Sequence, residues 1–364
     1  MTASYQLPVV FSIEERDTKA DLPNKQLLLS IVRMGAMKLV PKKGCRDEQD
    51  DHLLFPMSNM RFLLQRCESQ LMELPQPMIR TLKRKSRRSL NTIRIFQWNQ
   101  LSQTLGTKND KFVKCSPQAL EWSSRRWRLL QEIVRYNPDI ICLQEVDHFK
   151  FIEKALSSVG YEGMFVSKPD SPCLYLADNN GPDGCAIFYK TSQFQLDKSA
   201  SHTLSVWGVE SNQVILSLLL THIKTGQEVC VATTHLKART GDILTSMRNE
   251  QGKDILGWLQ EIRKERPVIL TGDFNADPAE PVFNTITGDN HLPLVSAYEE
   301  QEFTTWKIRE TGEEKKVLDY IFHSPQLETV ATLNMPSEEQ VGVDRLPSLA
   351  FPSDHLSLVS DIAL

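Results

Sequence analysis

Nine short strand-like runs have only two long helix-like segments to cover them, and this imbalance constrains the fold more than any other feature of the chain. The runs are 92–98, 139–143, 185–189, 214–221, 228–234, 268–271, 317–322, 328–333 and 355–362. Some alternate, as in TIRIFQW, and others are continuously apolar, as in DIICL, the pattern of a strand buried on both faces. The helical segments are 117–136, where Leu120, Trp127, Leu130 and Val134 form an apolar stripe closed by Pro138, and roughly 243–264, with Leu244, Met247, Ile255, Leu259 and Ile262. Two helices cannot cover both faces of so many strands laid in one sheet. Two sheets packed face to face, with helices outside, bury them all.

The 364 residues allow two ordinary domains or one large α/β unit with an extension. Residues 1 to about 90 mix prolines, charges and short apolar stretches without sustained periodicity, whereas from Thr92 onward elements follow closely. The expected boundary lies near Ser89: a partly disordered extension over 1–90, carrying a short amphipathic helix at Met60 to Met72 and a solvated basic linker at 80–88, then a catalytic domain over 91–364. With 40% apolar and 24% charged residues, the chain has the means to bury a core.

The formal charge is −4, but the run from Arg80 to Arg88 holds six basic residues, and setting these aside leaves −10 on the rest. A protein that tracks a long polynucleotide presents a basic footprint, which most of this chain lacks, so a small phosphorylated substrate fits better. Seven cysteines without a C-x-x-C pair suit reduced thiols, with Cys142 and Cys230 as small buried hydrophobes. The longest apolar run near the N-terminus, Leu27 to Val32, is far short of the roughly 20 residues that cross a bilayer. Neither a secretory signal nor an Arg-rich transit peptide is visible, so a cytoplasmic monomer is expected, with mitochondrial or nuclear forms open through other isoforms.

Polar residues stand where the runs end: Asn99 after TIRIFQW, Glu145 after DIICLQ, His235 after CVATT, and Asp273 with Asn275 after VILTG. Carboxylate and amide groups at strand ends line a crevice at the sheet edge, and an all-oxygen set of this kind selects a hard cation, Mg²⁺ first. Asp354-His355 near the C-terminus and Asp319 on an apolar strand add a candidate imidazole and its orienting carboxylate. His235, Lys237 and Arg239 share one face if that segment is extended, and would gather positive charge beside the carboxylates.

Gln97-Trp98-Asn99, Leu143-Gln144-Glu145, Gly272-Asp273-Phe274-Asn275, Leu318-Asp319-Tyr320 and Ser353-Asp354-His355 stand in the order and spacing of the endonuclease/exonuclease/phosphatase superfamily, which the chain resembles over about residues 92 to 362. The resemblance implies a four-layer α-β-β-α sandwich with Glu145 as principal Mg²⁺ ligand and Asn99 beside it. Asp273 and Asn275 would position or activate water, and His355 would contact the scissile phosphate, oriented by Asp319 and supported by Asp354. Asn99, Lys168, His235, Lys237, Arg239 and Arg309 would contact substrate. The same resemblance leaves two substrates open: the 2′-phosphate of NADP⁺ and NADPH, or the 3′ end of poly(A) RNA. The acidity of the chain and the compact clustering of cations favour NADP(H), which would here be substrate and not redox cofactor, since no G-x-G-x-x-G occurs.

Overall fold

The computed structural model describes residues 53–364. The apolar run at 27–32, Cys45 and the rest of 1–52 lie outside the described residues.

Two mixed sheets form the centre. The first runs β1 (Leu82–Arg84), β14 (Glu328–Leu333), β15 (Leu358–Ala363), β2 (Thr92–Asn99), β3 (Ile140–Val146), β5 (Gly184–Lys190), β4 (Tyr161–Ser167). The second runs β10 (Val295–Ser296), β13 (Asp319–His323), β9 (Val268–Asp273), β8 (Glu228–His235), β7 (Val209–His222), β6 (Phe194–Val206). A separate hairpin joins β11 (Thr305–Arg309) to β12 (Gly312–Lys316).

Strand alternation divides the apolar residues between two faces. Ile93, Ile95, Ile140 and Cys142 from the first sheet meet Leu216, Leu218, Val231 and Ile269 from the second in a core between the sheets. The opposite face of the first sheet, with Phe96, Trp98, Ile141 and Leu143, packs on Trp127, Leu130 and Ile133 of the helix Trp122–Arg135. Outside the second sheet, Cys230, Ala232, Leu270 and Phe322 meet Ile255, Leu256 and Leu259 of the helix Asp242–Ile262. The four-layer α-β-β-α sandwich is thus present. Both central strand pairs are buried on each side, which is why their sequences read as continuous apolar runs.

The described cysteines are all free, and Cys142 and Cys230 are fully buried. No helix among the described residues is long and apolar enough to cross a membrane.

Three expectations need correction. The segment 80–88 is not simply a solvated linker. Leu82–Arg84 pairs antiparallel with β14, and Arg80 is buried in an ion pair with Glu132 at 2.9 Å, because the open edge of β14 leaves backbone groups that a neighbouring strand satisfies. The preceding helix, Met60–Gln70, buries Leu63 and Cys67 in the same core as Trp127. The run 355–362 enters its sheet only at Leu358, and His355 makes a single bridge to Thr305. The strand of CVATTH stops at His235, so the alternation that would place Lys237 and Arg239 on its face does not continue.

Candidate active site

Both sheets carry a parallel pair at their centre, β2 with β3 and β8 with β9, so four strands deliver their C-terminal residues to one end of the sandwich. Those residues are Asn99, Glu145, His235 and Asp273. The antiparallel neighbours bring the rest. β13 begins where β9 ends, with Asp319 opposite Asp273, and β15 opens with Leu358 opposite Gln97, which sets the preceding Asp354 and His355 beside Asn99.

The backbone is bent at this end. Glu145 sits in a bulge between Leu143 and Val146 and adopts φ +54°, a conformation that a non-glycine residue takes only when its surroundings impose it. Asn275 does the same at φ +49°. Gly272 has φ +155°, and a Cβ there would fall 2.3 Å from Thr234 O, so only glycine lets β9 approach β8 immediately before Asp273.

Asn99 Nδ2 links the two acids, donating to Glu145 Oε1 at 3.0 Å and Asp273 Oδ2 at 2.9 Å. Glu145 Oε2 accepts from the Ser102 amide at 3.0 Å, and Asp273 Oδ1 from the Asn275 amide at 2.9 Å. Burial pushes Glu145 up to about 7 and Asp273 to about 6, with Asp319 adding to the shift at Asp273. Carboxylates held near neutrality in this way are a donor set that a hard divalent cation would keep ionised, so Glu145, Asn99 and Asp273 fit a bound metal. Asp273, Asp319 and His355 also offer ligand atoms within 4.8 Å of one another. That second set is already committed internally: Asp319 Oδ1 accepts from Gln97 Nε2 at 3.0 Å, and Oδ2 faces both Thr304 Oγ1 at 2.7 Å and His355 Nδ1 at 2.8 Å.

The imidazoles differ. Burial would favour a neutral His355, but Asp319, Asp273 and Asp354 outweigh it and raise the ring to about 10. Burial together with the positive charges of Lys168 and His355 holds His235 well below its ordinary value, and its Nδ1 has no hydrogen-bond partner among the described residues. One ring is a cationic donor and the other a neutral group.

The remaining expected residues divide into two sets. Lys168 is buried and donates to Asp183 Oδ2 at 2.6 Å. Lys237 is half-buried, and its ammonium is held below the usual range by burial and by the charges of Arg239 and Lys168. Arg239 is exposed, at φ +79°. The backbone of this segment is fixed by Arg248, which donates to the carbonyls of Lys237 and Arg239 at 3.0 and 2.8 Å. Next to His355, Asp354 is paired with Lys307 at 2.7 Å and Arg309 at 3.3 Å. Sequence reasoning passed over Lys307, although it alternates with Arg309 in TWKIR, and over Asp110, which lies 3.4 Å from Arg309 in a loop without any periodic signal.

Residues 96–355 match the model of the Endonuclease/Exonuclease/phosphatase family. A nocturnin from Xenopus laevis is 44% identical over 83% of this chain and 81% of its own length. The chain belongs to the nocturnins of that family. A nocturnin from Drosophila melanogaster is 43% identical over 94% of this chain, which spans 62% of that relative's length. The solved human Nocturnin catalytic domain with bound sulfate anion superposes with a TM-score of 0.67 at 37% identity, covering 79% of this chain and 99% of that one. Family membership supports a nuclease or phosphatase activity for the chain.

Proposed function

We propose that the chain is a Mg²⁺-dependent phosphatase that hydrolyses the 2′-phosphomonoester of NADP⁺ and NADPH to give NAD⁺ and NADH. The observation that carries this reading is the pair Lys237 and Arg239: they follow His235 on a segment whose backbone is tied to Asp273 and Asn275 through Leu236, and neither forms an ion pair among the described residues. A half-buried ammonium destabilised by its neighbours' positive charge gains most from a compact dianion. The human relative's bound sulfate has that shape and charge.

The metal, held by Glu145 with Asn99 and Asp273 near it, would neutralise charge on the phosphoryl oxygens and polarise phosphorus. The chain's own groups do the rest. Lys168, Lys237 and Arg239 hold the phosphate, and the neutral His235 lines the same wall. Asp273 and Asn275 orient water for in-line attack. His355, fixed through Asp319, donates to a phosphoryl oxygen as negative charge builds, while Asp354 steadies the side bearing Lys307 and Arg309.

Poly(A) trimming would use the same hydrolytic groups but also needs cations along a track. Lys85, Arg88, Lys190, Arg266 and Arg345 are instead each paired with a carboxylate. The test incubates the protein in Mg²⁺ with NADPH, 5′-labelled oligo(A) and an inositol polyphosphate. Phosphate release from NADPH alone supports the proposal; efficient shortening of oligo(A) with NADPH untouched overturns it.

A further inference from the structure

Arg125 projects from the helix Trp122–Arg135 and is only 2% exposed, yet it pairs with no carboxylate among the described residues. Its guanidinium is instead spent on backbone. Nε donates to Pro352 O at 2.9 Å, Nη2 donates to Gln100 O at 2.7 Å and Leu101 O at 2.6 Å, and Nη1 donates to the Gln103 side chain. Gln100 and Leu101 directly follow Asn99, and Pro352 stands just before Ser353-Asp354-His355. Leu101 adopts φ +60°, so this loop is held in a conformation it would not choose alone.

We propose that Arg125 is a positioning residue that clamps the loop leaving Asn99 to the loop delivering Asp354 and His355, fixing the two halves of the reactive cluster relative to each other. Three carbonyls on two loops, distant in sequence, converge on one planar fork. No other side chain has enough donors in that arrangement, and each carbonyl would be costly to leave unmet. A second tie acts in the same direction: Ser353 Oγ donates to Asn99 O at 2.7 Å. Arg125 is buried against these carbonyls, so its loss should misplace groups without weakening phosphate recognition by Lys237 and Arg239. Displacements of about 1 Å at a reacting centre cost about 100-fold in rate.

The inference rests on reading the cluster as a phosphoester-hydrolysing site, and the test separates the two. Wild type and Arg125→Lys are assayed on NADPH, oligo(A) and bis(p-nitrophenyl) phosphate, and rates are corrected for the folded fraction by circular dichroism well below the unfolding midpoint. On whichever substrate the wild type turns over, the clamp predicts kcat reduced about 10- to 100-fold with KM within about twofold, since a lysine keeps the charge but cannot span both loops. Methylguanidinium added to Arg125→Ala should restore part of the rate. A folded Arg125→Lys protein with kcat within about twofold of wild type, or with KM alone raised, overturns the clamp. If Arg125→Lys does not fold, Gln103→Leu, which removes one acceptor, is measured instead: kcat lowered at least about threefold supports the clamp and unchanged kcat overturns it. A wild type inert toward NADPH but active on another substrate overturns the substrate assignment while the clamp is still measured.

Discussion

His355 Nδ1 lies 2.8 Å from Asp319 Oδ2, and the same carboxylate is pinned by Thr304 and Gln97, so the imidazole is fixed from behind by a group that cannot itself turn. The ring's Nε2 lies 3.9 Å from Asp354 Oδ2.

Asp319→Asn preserves shape but removes the charge that sustains a cationic His355. The expected result is kcat lowered by roughly 10²-fold or more with KM within about threefold, because the lost interaction matters most when charge develops on the phosphoryl group. Steady-state kinetics on NADPH measure it, and a change confined to KM contradicts the assigned role.

Lys237→Ala and Arg239→Ala should act in the opposite sense, raising KM with kcat nearly preserved. A charge-assisted hydrogen bond is worth about 1.5–3 kcal/mol, so about tenfold or more is expected at half-buried Lys237, and less at exposed Arg239, where solvent screens the charge. Equal losses of kcat in these variants and in Asp319→Asn would refute the division between recognition and chemistry.

The reactive cluster and the sheets were not equally legible in sequence. Nine apolar runs against two helices were enough to require two stacked sheets, and Asn99, Glu145 and Asp273 were legible because each ends a buried run. The strand Phe194–Val206 was missed because it is an edge strand whose FQLDKSASHTLSV carries little apolar signal, and the hairpin at 305–316 because its residues are mostly polar. Glu145's bulge and the turn at Arg239 are backbone events, set by neighbouring strands, and no local pattern announces them. Arg125 was read only as part of a helix, since what it binds lies at 100–103 and 352.

Lys307→Met should leave the buried Asp354 with Arg309 and the more distant His355 as its remaining cations. Removing one partner of a buried pair costs about 3–5 kcal/mol, with the low end expected here because Arg309 stays at 3.3 Å. Urea unfolding measures the loss, and adding Asp354→Asn to the variant should recover part of it. No recovery in the double variant contradicts an electrostatic origin.

His323 supplies a pH dependence of stability away from the reactive cluster. Burial lowers its folded value, and its ring nitrogens meet Ser324 O at 3.0 Å and Thr329 Oγ1 at 2.8 Å, which suits a neutral ring. Because the folded value lies below the unfolded one near 6.5, the contribution is complete above about pH 6.5 and is lost as pH falls through that value toward the folded one. Glu145 and Asp273, raised on folding, act in the opposite sense, so His323 is read by difference: the unfolding midpoint of wild type relative to His323→Gln should decline from pH 7 to 5. A parallel decline in both proteins contradicts this assignment.

Removing residues before 90 should destabilise the remaining domain, since it deletes Arg80 from its buried pair with Glu132 and strips Leu63, Cys67 and Leu71 from the core around Trp127. The truncated protein is expected to unfold at least several degrees lower than the full chain in a thermal melt. An unchanged midpoint restores the view of this stretch as a mere linker.

The central claim is that Glu145 and its neighbours hydrolyse a 2′-phosphomonoester of a dinucleotide with a divalent metal. Wild type and Glu145→Ala are incubated with NADPH, with and without Mg²⁺, and inorganic phosphate and NADH are quantified together. Equal amounts of phosphate and NADH from wild type in Mg²⁺, and neither from Glu145→Ala or after chelation, is the predicted result; phosphate release that survives Glu145→Ala, or no NADH from the wild type, contradicts the account.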